Sequence, residues 1–330
     1  MLRRFVTGAV VAVALSVAAC GAQSPTETSA PADNGKRDVK IGAVTIVSHP
    51  SLDLVYEGIV EGLAEAGYTE GDNLTIDLQN PQGDQATLVN IANTYASSDN
   101  DLFVAIATPP AQALAQVEQK RPIVFASVTD PVAAGLVESM EAPGGNVTGT
   151  SDQLPTDQQL AVIKDILPDV MTVGIVYSSA EVNAQVQAER AIEAGSELGI
   201  EVKTATVTNS SEVQQAAESL DVDAYFVLVD NTVVSAIESM IQVAEANGRL
   251  LVTSDADSVE RGAAAALATD YKAQGIQTAG IIVDILEGGD PATTPVQLQE
   301  GLELAVNPEA AERMGVEIPG TVVEQAAKTY

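Results

Sequence analysis

From Val39 onward the chain alternates between short β-branched apolar runs and longer segments with apolar residues at helical spacing. Residues 39–47 read as a buried strand. Leu54, Val55, Ile59, Leu63 and Ala66 then recur on one helical face, and Gly67 ends that helix. Strands follow at 74–78, 102–107 and 122–126, with helices at 84–96 and after Thr108-Pro109, a cap followed by proline. An irregular stretch with Thr129-Asp130-Pro131 and Pro143-Gly144-Gly145 runs to Gly149. The alternation then restarts. Helices are predicted at 158–167, 181–198, 211–220, 233–247 and 271–286, with strands at 172–177, 200–207, 224–229, 250–253 and 263–268. Such alternation implies parallel sheets covered by helices on both faces. Two runs, parting near 149–154, predict an α/β chain of two lobes. The second run is complete before Tyr271, so helix 271–286 is expected to return to the first lobe.

The lone cysteine, Cys20, closes the run Val17-Ala18-Ala19-Cys20. Arg3 and Arg4 precede an uncharged stretch that ends there, the layout of an export signal with small residues at its cleavage point. The stretch is short for a bilayer span, which needs roughly 20 apolar residues. Val-Ala-Ala-Cys resembles the lipobox of bacterial lipoproteins. That resemblance implies a signal peptide over 1–19, acyl chains such as palmitate on Cys20, and attachment to the extracytoplasmic face of the cell membrane. Residues 20–38 are polar, with Ser, Thr, Ala and Pro and no apolar period, and are expected to form a disordered tether.

Acidic residues outnumber basic ones 46 to 15, a net charge of −31. Phosphate backbones would be repelled, so nucleic-acid binding is excluded as a main activity. Apolar content of 46% still supports a large core, and with no second cysteine that core must hold without an internal disulfide.

Catalytic signals are poor. His49 is the single histidine, and the folded part has no cysteine. There is no G-x-S-x-G elbow and no G-x-x-x-x-G-K-[ST] phosphate loop. Asp255-Ala256-Asp257 could begin a calcium loop, but Val259 stands where a third ligand belongs. The chain is expected to be no enzyme and to hold no cofactor or metal.

Polar residues concentrate where strands end, and open α/β sheets bind ligands at the carboxyl ends of their strands. The first lobe delivers Ser48, His49, Ser51 and Asp53, then Thr108, then Ser127, Thr129 and Asp130. The crossover delivers Ser151 and Asp152. The second lobe delivers Tyr177, Ser178, Asn183, Asp230, Asn231, Ser254, Asp255 and Asp257. Any one of the aspartates could be a helix cap. Gathered around one cleft, they suit a small zwitterion. Its carboxylate would take amides at the helix start after Thr108, and its ammonium would pair with Asp230, Asp255 or Asp257.

Taken in order, these segments resemble one family. They include Ser48-His49-Pro50-Ser51-Leu52-Asp53, Ala107-Thr108-Pro109-Pro110-Ala111-Gln112-Ala113, Val128-Thr129-Asp130-Pro131-Val132 and Gly144-Gly145-Asn146-Val147-Thr148-Gly149. Ser151-Asp152, Asp230-Asn231-Thr232, Asp255-Ala256-Asp257-Ser258-Val259 and Val306-Asn307-Pro308 continue the match. The family is the tryptophan/tyrosine-type substrate-binding proteins of ABC transporters. It implies the type 1 periplasmic binding protein fold, two Rossmann-like lobes with parallel sheets joined by a multi-strand hinge. Lobe 1 would comprise 39–149 plus 269–293, and lobe 2 would comprise 150–268 plus 294–330. The resemblance further implies a small-molecule ligand, aromatic amino acids among the candidates, and ABC permease subunits as partners. Its site residues would be Ser48, His49, Thr108, Thr129, Asp130, Ser151, Asp152, Asp230, Asn231 and Asp257. The alternative is a sensor of the same fold, signalling to a membrane partner. With no tryptophan in the chain, stacking on an aromatic ligand would fall to tyrosines such as Tyr177, to His49 or to aliphatic walls.

Overall fold

A computed structural model describes residues 36–299 and 301–330. The expected signal peptide (1–19), Cys20 and the tether as far as residue 35 lie outside the described residues. The last three tether residues lie on the first lobe, where Lys36 pairs with Glu287, and Arg37 with Asp101 at 2.8 Å.

The first run folds as predicted up to the irregular stretch. Its elements are β1 (Val39–Thr45), α1 (Pro50–Glu65), β2 (Leu74–Gln79), α2 (Gln85–Ala96), β3 (Leu102–Ile106), α3 (Thr108–Val117) and β4 (Ile123–Ala126). Every residue of β3 and β4 is buried, the pattern of a central parallel strand covered on both faces. The irregular stretch ends in a strand that periodicity does not reveal, β5 (Val147–Ser151). Its sequence, VTGTS, is polar, but it is wholly buried because the Thr148 and Thr150 hydroxyls find partners in Thr294 and Thr278.

The second run supplies α4 (Thr156–Ile166), β6 (Thr172–Ser178), α5 (Val182–Leu198), β7 (Glu201–Val207), α6 (Val213–Glu218) and β8 (Ala224–Val227). The helix expected at 233–247 is two, α7 (Asn231–Val234) and α8 (Ile237–Asn247), because Asp230 caps a helix that starts early and stops at Ser235. Then come β9 (Leu250–Thr253), α9 (Ala256–Glu260), β10 (Ala265–Ala268) and α10 (Tyr271–Leu286). The chain closes with β11 (Gln297–Leu298), β12 (Glu303–Val306), α11 (Pro308–Arg313), α12 (Gly320–Val323) and β13 (Lys328–Thr329).

Two sheets result, ordered β11-β5-β4-β3-β1-β2 and β13-β12-β10-β9-β8-β6-β7. All pairings are parallel except β10 with β12. Each sheet has its own apolar core. This is the two-lobed α/β architecture expected. The lobe limits differ in detail. Thr150 and Ser151 stay in the first sheet, and β11 pairs with β5 there (Gln297 with Thr150, Leu298 with Ser151), so the return to the second lobe follows Leu298 rather than beginning at residue 294. The chain therefore crosses between lobes at 152–155, at 269–270 and between β11 and β12.

Helix α10 does return to the first lobe, packed along α1. Glycines permit the approach. A Cβ on Gly58 would lie 2.2 Å from the Lys272 carbonyl oxygen, and one on Gly275 would lie 2.2 Å from that of Val55.

Candidate binding site

The carboxyl ends of β1, β3 and β4 face those of β8 and β9 across a narrow cleft with about 20 Å3 of free space, room for a water-sized body. The first lobe lines it with His49, Ser51, Leu52, Thr108, Ser127 and Thr129. Asp152 and Tyr271 come from the crossings. The second lobe adds Asn183, Val229, Asp230, Asn231, Val234, Ser254 and Asp255. The gap is narrow, so a ligand of tryptophan's size enters only when the lobes part.

On the first lobe, His49 caps α1 in extended conformation, with Pro50 behind it as the first helical residue. Burial, helped by the Arg261 charge, pulls its pKa down to about 4, so the ring is neutral at physiological pH. The first helical hydrogen bond of α1 runs from the Asp53 N–H to the His49 carbonyl. The amides of Ser51 and Leu52 precede it and remain available to an anion at the cleft wall.

Helix α3 was expected to offer such amides and is less able to. Its second and third residues, Pro109 and Pro110, have no N–H. What α3 presents is Thr108, held by Ala107 at φ 83° and ψ 165°, a conformation that costs a non-glycine residue about 1–3 kcal/mol. Ser127, at the end of β4, also stands at positive φ (56°), its hydroxyl bonded to Gln274. Both strained residues sit at the strand ends that form the cleft.

Asp152 opens the first crossing and is 2% exposed. Burial raises its pKa to about 6, against the pull of the Thr129 and Tyr271 hydroxyls nearby. One oxygen, Oδ2, lies 3.4 Å from the Tyr271 hydroxyl, while Oδ1 is buried and hydrogen-bonds to no protein atom. His49 Nδ1, Thr108 Oγ1, Thr129 Oγ1 and Asn183 Oδ1 share that condition. All five belong to residues lining this cleft.

The carboxylates expected to meet an ammonium are otherwise engaged. Asp230 accepts from the Ser178 amide at 2.6 Å and the Val233 amide at 2.9 Å, as the cap of α7. Burial and the neighbouring Glu181 charge push its pKa well above the usual carboxylate range. Asp255 caps α9 through the Ser258 amide and hydroxyl, at 2.7 and 2.8 Å. Asp257 lies off the cleft lining and accepts from the Ser51 hydroxyl at 2.8 Å, tying one lobe to the other. Asn231 does line the cleft, and its Nδ2 donates to Glu181 at 2.5 Å.

Three further expected residues point elsewhere. Ser48 is exposed and hydrogen-bonds the Asp53 carboxylate at 3.1 Å. Asp130 pairs with Arg190 of the opposite lobe. Ser151 is buried in β5, donating to the Thr129 carbonyl at 3.1 Å. Tyr177 packs against the second lobe's core, so the rings at the cleft belong to His49 and Tyr271. Tyr271 was missed as a site residue. Its signal was the return of α10, which puts that helix's first residue at a crossing. Among the described residues, no group of His, Cys, Asp and Glu is placed to hold a metal, and no helix is long and apolar enough to cross a membrane.

Two α/β lobes with a polar cleft at their strand ends define a solute-binding protein. Residues 40–330 match the family model described as ABC transporter substrate binding protein, and the chain belongs to that family. It is 37% identical over 276 residues to the Tyrosine-binding protein of Clostridioides difficile (strain R20291), covering 83% of this chain and 80% of that one. A Streptococcus pneumoniae ABC domain in complex with L-Trp superposes with a TM-score of 0.86 at 37% identity, covering 89% of this chain and all of that one (100%). The ligand-free, open structure of a Clostridium difficile substrate binding protein with adhesive properties superposes with a TM-score of 0.67 at 36% identity, covering 88% and 98%. These relatives are binding proteins rather than enzymes, and substrate-binding proteins of ABC transporters work outside the cytoplasm.

Proposed function

We propose that this protein captures an aromatic amino acid between its lobes and presents it to an ABC permease. The observation that carries the reading is a concentration at the cleft: among the described residues, five of the eight buried side-chain polar atoms that hydrogen-bond to no protein atom belong to residues lining it. Buried polar atoms are seldom left unpaired, because each costs about 1–3 kcal/mol. A zwitterion suits them. Its ammonium pairs with Asp152, whose Oδ1 hydrogen-bonds to no protein atom, and its carboxylate takes the Ser51 and Leu52 amides at the start of α1. Leu52, Val229, Val234 and Tyr271 supply apolar wall for a side chain.

The relatives support the aromatic class, one named for tyrosine and one crystallised with L-Trp. At nearly equal identity, the chain superposes better on the L-Trp complex than on the open, ligand-free structure. That contrast supports reading the lobes as closed over the cleft, as hinged receptors close on their ligands. Titration calorimetry of the mature protein against Trp, Tyr, Phe, Leu and Ala tests the ligand class. Binding of an aromatic member in preference to Leu and Ala is expected. Binding of none, with a sugar or other solute binding instead, would remove the amino-acid reading.

The same proposal includes attachment through lipid on Cys20. Its support is the lipobox-like run before that cysteine and the extracytoplasmic work of the family. Two acyl chains hold a protein stably at a membrane where one is marginal. Metabolic labelling with a palmitate analogue should mark the wild type and fail on Cys20→Ala. Equal labelling of both would end the lipoprotein reading.

A further inference from the structure

Asn183 stands in the first turn of α5, on the second lobe's wall of the cleft, and is 2% exposed. The orientation of its side-chain amide follows from its partner. Nδ2 donates to the Val229 carbonyl at 2.9 Å, and a carbonyl can only accept. Val229 is itself fixed, since Gln187 donates to its carbonyl at 2.9 Å and accepts from its amide at 3.1 Å. Gln187 also donates to the Asn183 carbonyl at 2.9 Å. Asn183 Oδ1 is left as a buried acceptor that hydrogen-bonds to no protein atom.

Its position separates it from the other four such atoms on the cleft. His49, Thr108 and Thr129 belong to the first lobe and Asp152 to the crossing, so Asn183 carries the second lobe's one such atom among the described residues of the lining. Its polar neighbours there are occupied: Asp230 and Asp255 cap helices, and Asn231 donates to Glu181. A carboxylate cannot satisfy Oδ1, because both are acceptors. The requirement is an uncharged or charged donor at the second lobe's wall, across the cleft from the α1 amides of the first lobe.

We infer that Asn183 is a specificity-determining residue whose Oδ1 accepts a hydrogen bond from an N–H or O–H on the ligand's side chain. It sorts tryptophan and tyrosine, which carry such a donor, from phenylalanine, which does not. This rests on the aromatic amino-acid reading above. A site built to hydrogen-bond a donor rejects the analogue lacking it, because the buried acceptor is then left unpaired.

Calorimetry with L-Trp, L-Tyr and L-Phe on wild type and Asn183→Leu tests this. Wild type should favour Trp or Tyr over Phe by about 10- to 100-fold. In Asn183→Leu the favoured ligand should lose about that factor, while Phe moves by less than about threefold. Equal losses for all three would put Asn183 against the ammonium they share and overturn the inference, as would an unchanged preference. If the variant does not fold, 1-methyl-tryptophan and O-methyl-tyrosine on wild type keep the test alive. They lack the donor and should bind no better than Phe, and methylated ligands that match their parents would overturn the inference. A wild type that binds none of the three aromatic acids refutes the ligand reading itself, and the inference with it.

Discussion

The Tyr271 hydroxyl lies 3.4 Å from one carboxylate oxygen of Asp152, joining the chain's first crossing between lobes to the start of α10 after its second. The other oxygen of that carboxylate faces the cleft without a protein partner. In the binding mode proposed above, the carboxylate that meets the ligand's ammonium sits at this crossing.

Asp152→Asn should lower affinity for the amino-acid ligand by two to three orders of magnitude at pH 7.5, since losing one member of a buried ion pair costs ~3–5 kcal/mol. The wild type should show a pH dependence that the variant lacks. Asp152 titrates near 6 in the ligand-free fold, so affinity should fall about tenfold per unit as pH drops below that value. Calorimetry between pH 4.5 and 8 measures both effects. A variant that binds as the wild type does would remove Asp152 from the site.

The same substitution should stabilise the ligand-free protein. A carboxyl whose folded pKa is raised to about 6 favours folding fully below its unfolded value of 3.8, and that contribution is lost as pH rises through 6. At neutral pH the buried charge is therefore a cost, on the order of 1–3 kcal/mol, which asparagine avoids. Urea unfolding at pH 7.5 should show the variant more stable, with the difference shrinking at pH 4. His49 acts in the opposite sense in both proteins. Its pKa is lowered to about 4, so the stability it brings above its ordinary 6.5 is lost as pH falls toward 4. A variant less stable than wild type at pH 7.5 would contradict the assignment of cost.

Asp230→Asn should leave affinity within about tenfold of wild type and the fold intact, because asparagine is an equally good cap. One of the two backbone bonds is lost, but the negative charge beside Glu181 goes with it. A thousandfold loss of binding would show that Asp230 touches ligand after all.

Arg190→Ala combined with Ser51→Ala removes both described ties across the cleft mouth, Arg190 to Asp130 and Ser51 to Asp257. Partly exposed pairs are worth about 0.2–1 kcal/mol each. The double variant should have a larger radius of gyration by small-angle scattering without ligand, and close again at saturation. No change in the ligand-free curve would mean that the ties do not set the lobe angle.

Gly275→Ala should destabilise the first lobe by about 1–3 kcal/mol, because its Cβ would meet the Val55 carbonyl oxygen at 2.2 Å. Thermal melting registers this as a drop of several degrees, and an unchanged midpoint would show that α1 and α10 can move apart freely.

Much of the fold was legible because parallel strands covered on both faces are continuous apolar runs, as in 102–107 and 224–229. β5 was not, since Thr148, Thr150 and Ser151 are polar and their burial depends on partners far along the chain. At the site, polar strand ends pointed to the cleft between the lobes, and His49, Thr108, Thr129 and Asp152 line it. Composition could not say which aspartate is free. Asp230, Asp255 and Asp152 look alike in sequence. Only the position of the Ser178, Val233 and Ser258 amides shows that the first two cap helices and the third does not. Asn183 stood among the polar strand-end residues, but its unpaired oxygen is defined by where the Val229 carbonyl lies.

The packing of α1 against α10 also bears on how the molecule is made. Synthesis runs from the N-terminus, and α1 is finished at Glu65 while α10 starts at Tyr271, after nearly all of the second lobe. The apolar surface that α10 will cover stays open until then. Contacts so distant in sequence form late and slowly. The first lobe is therefore held short of its native state for most of the chain's emergence.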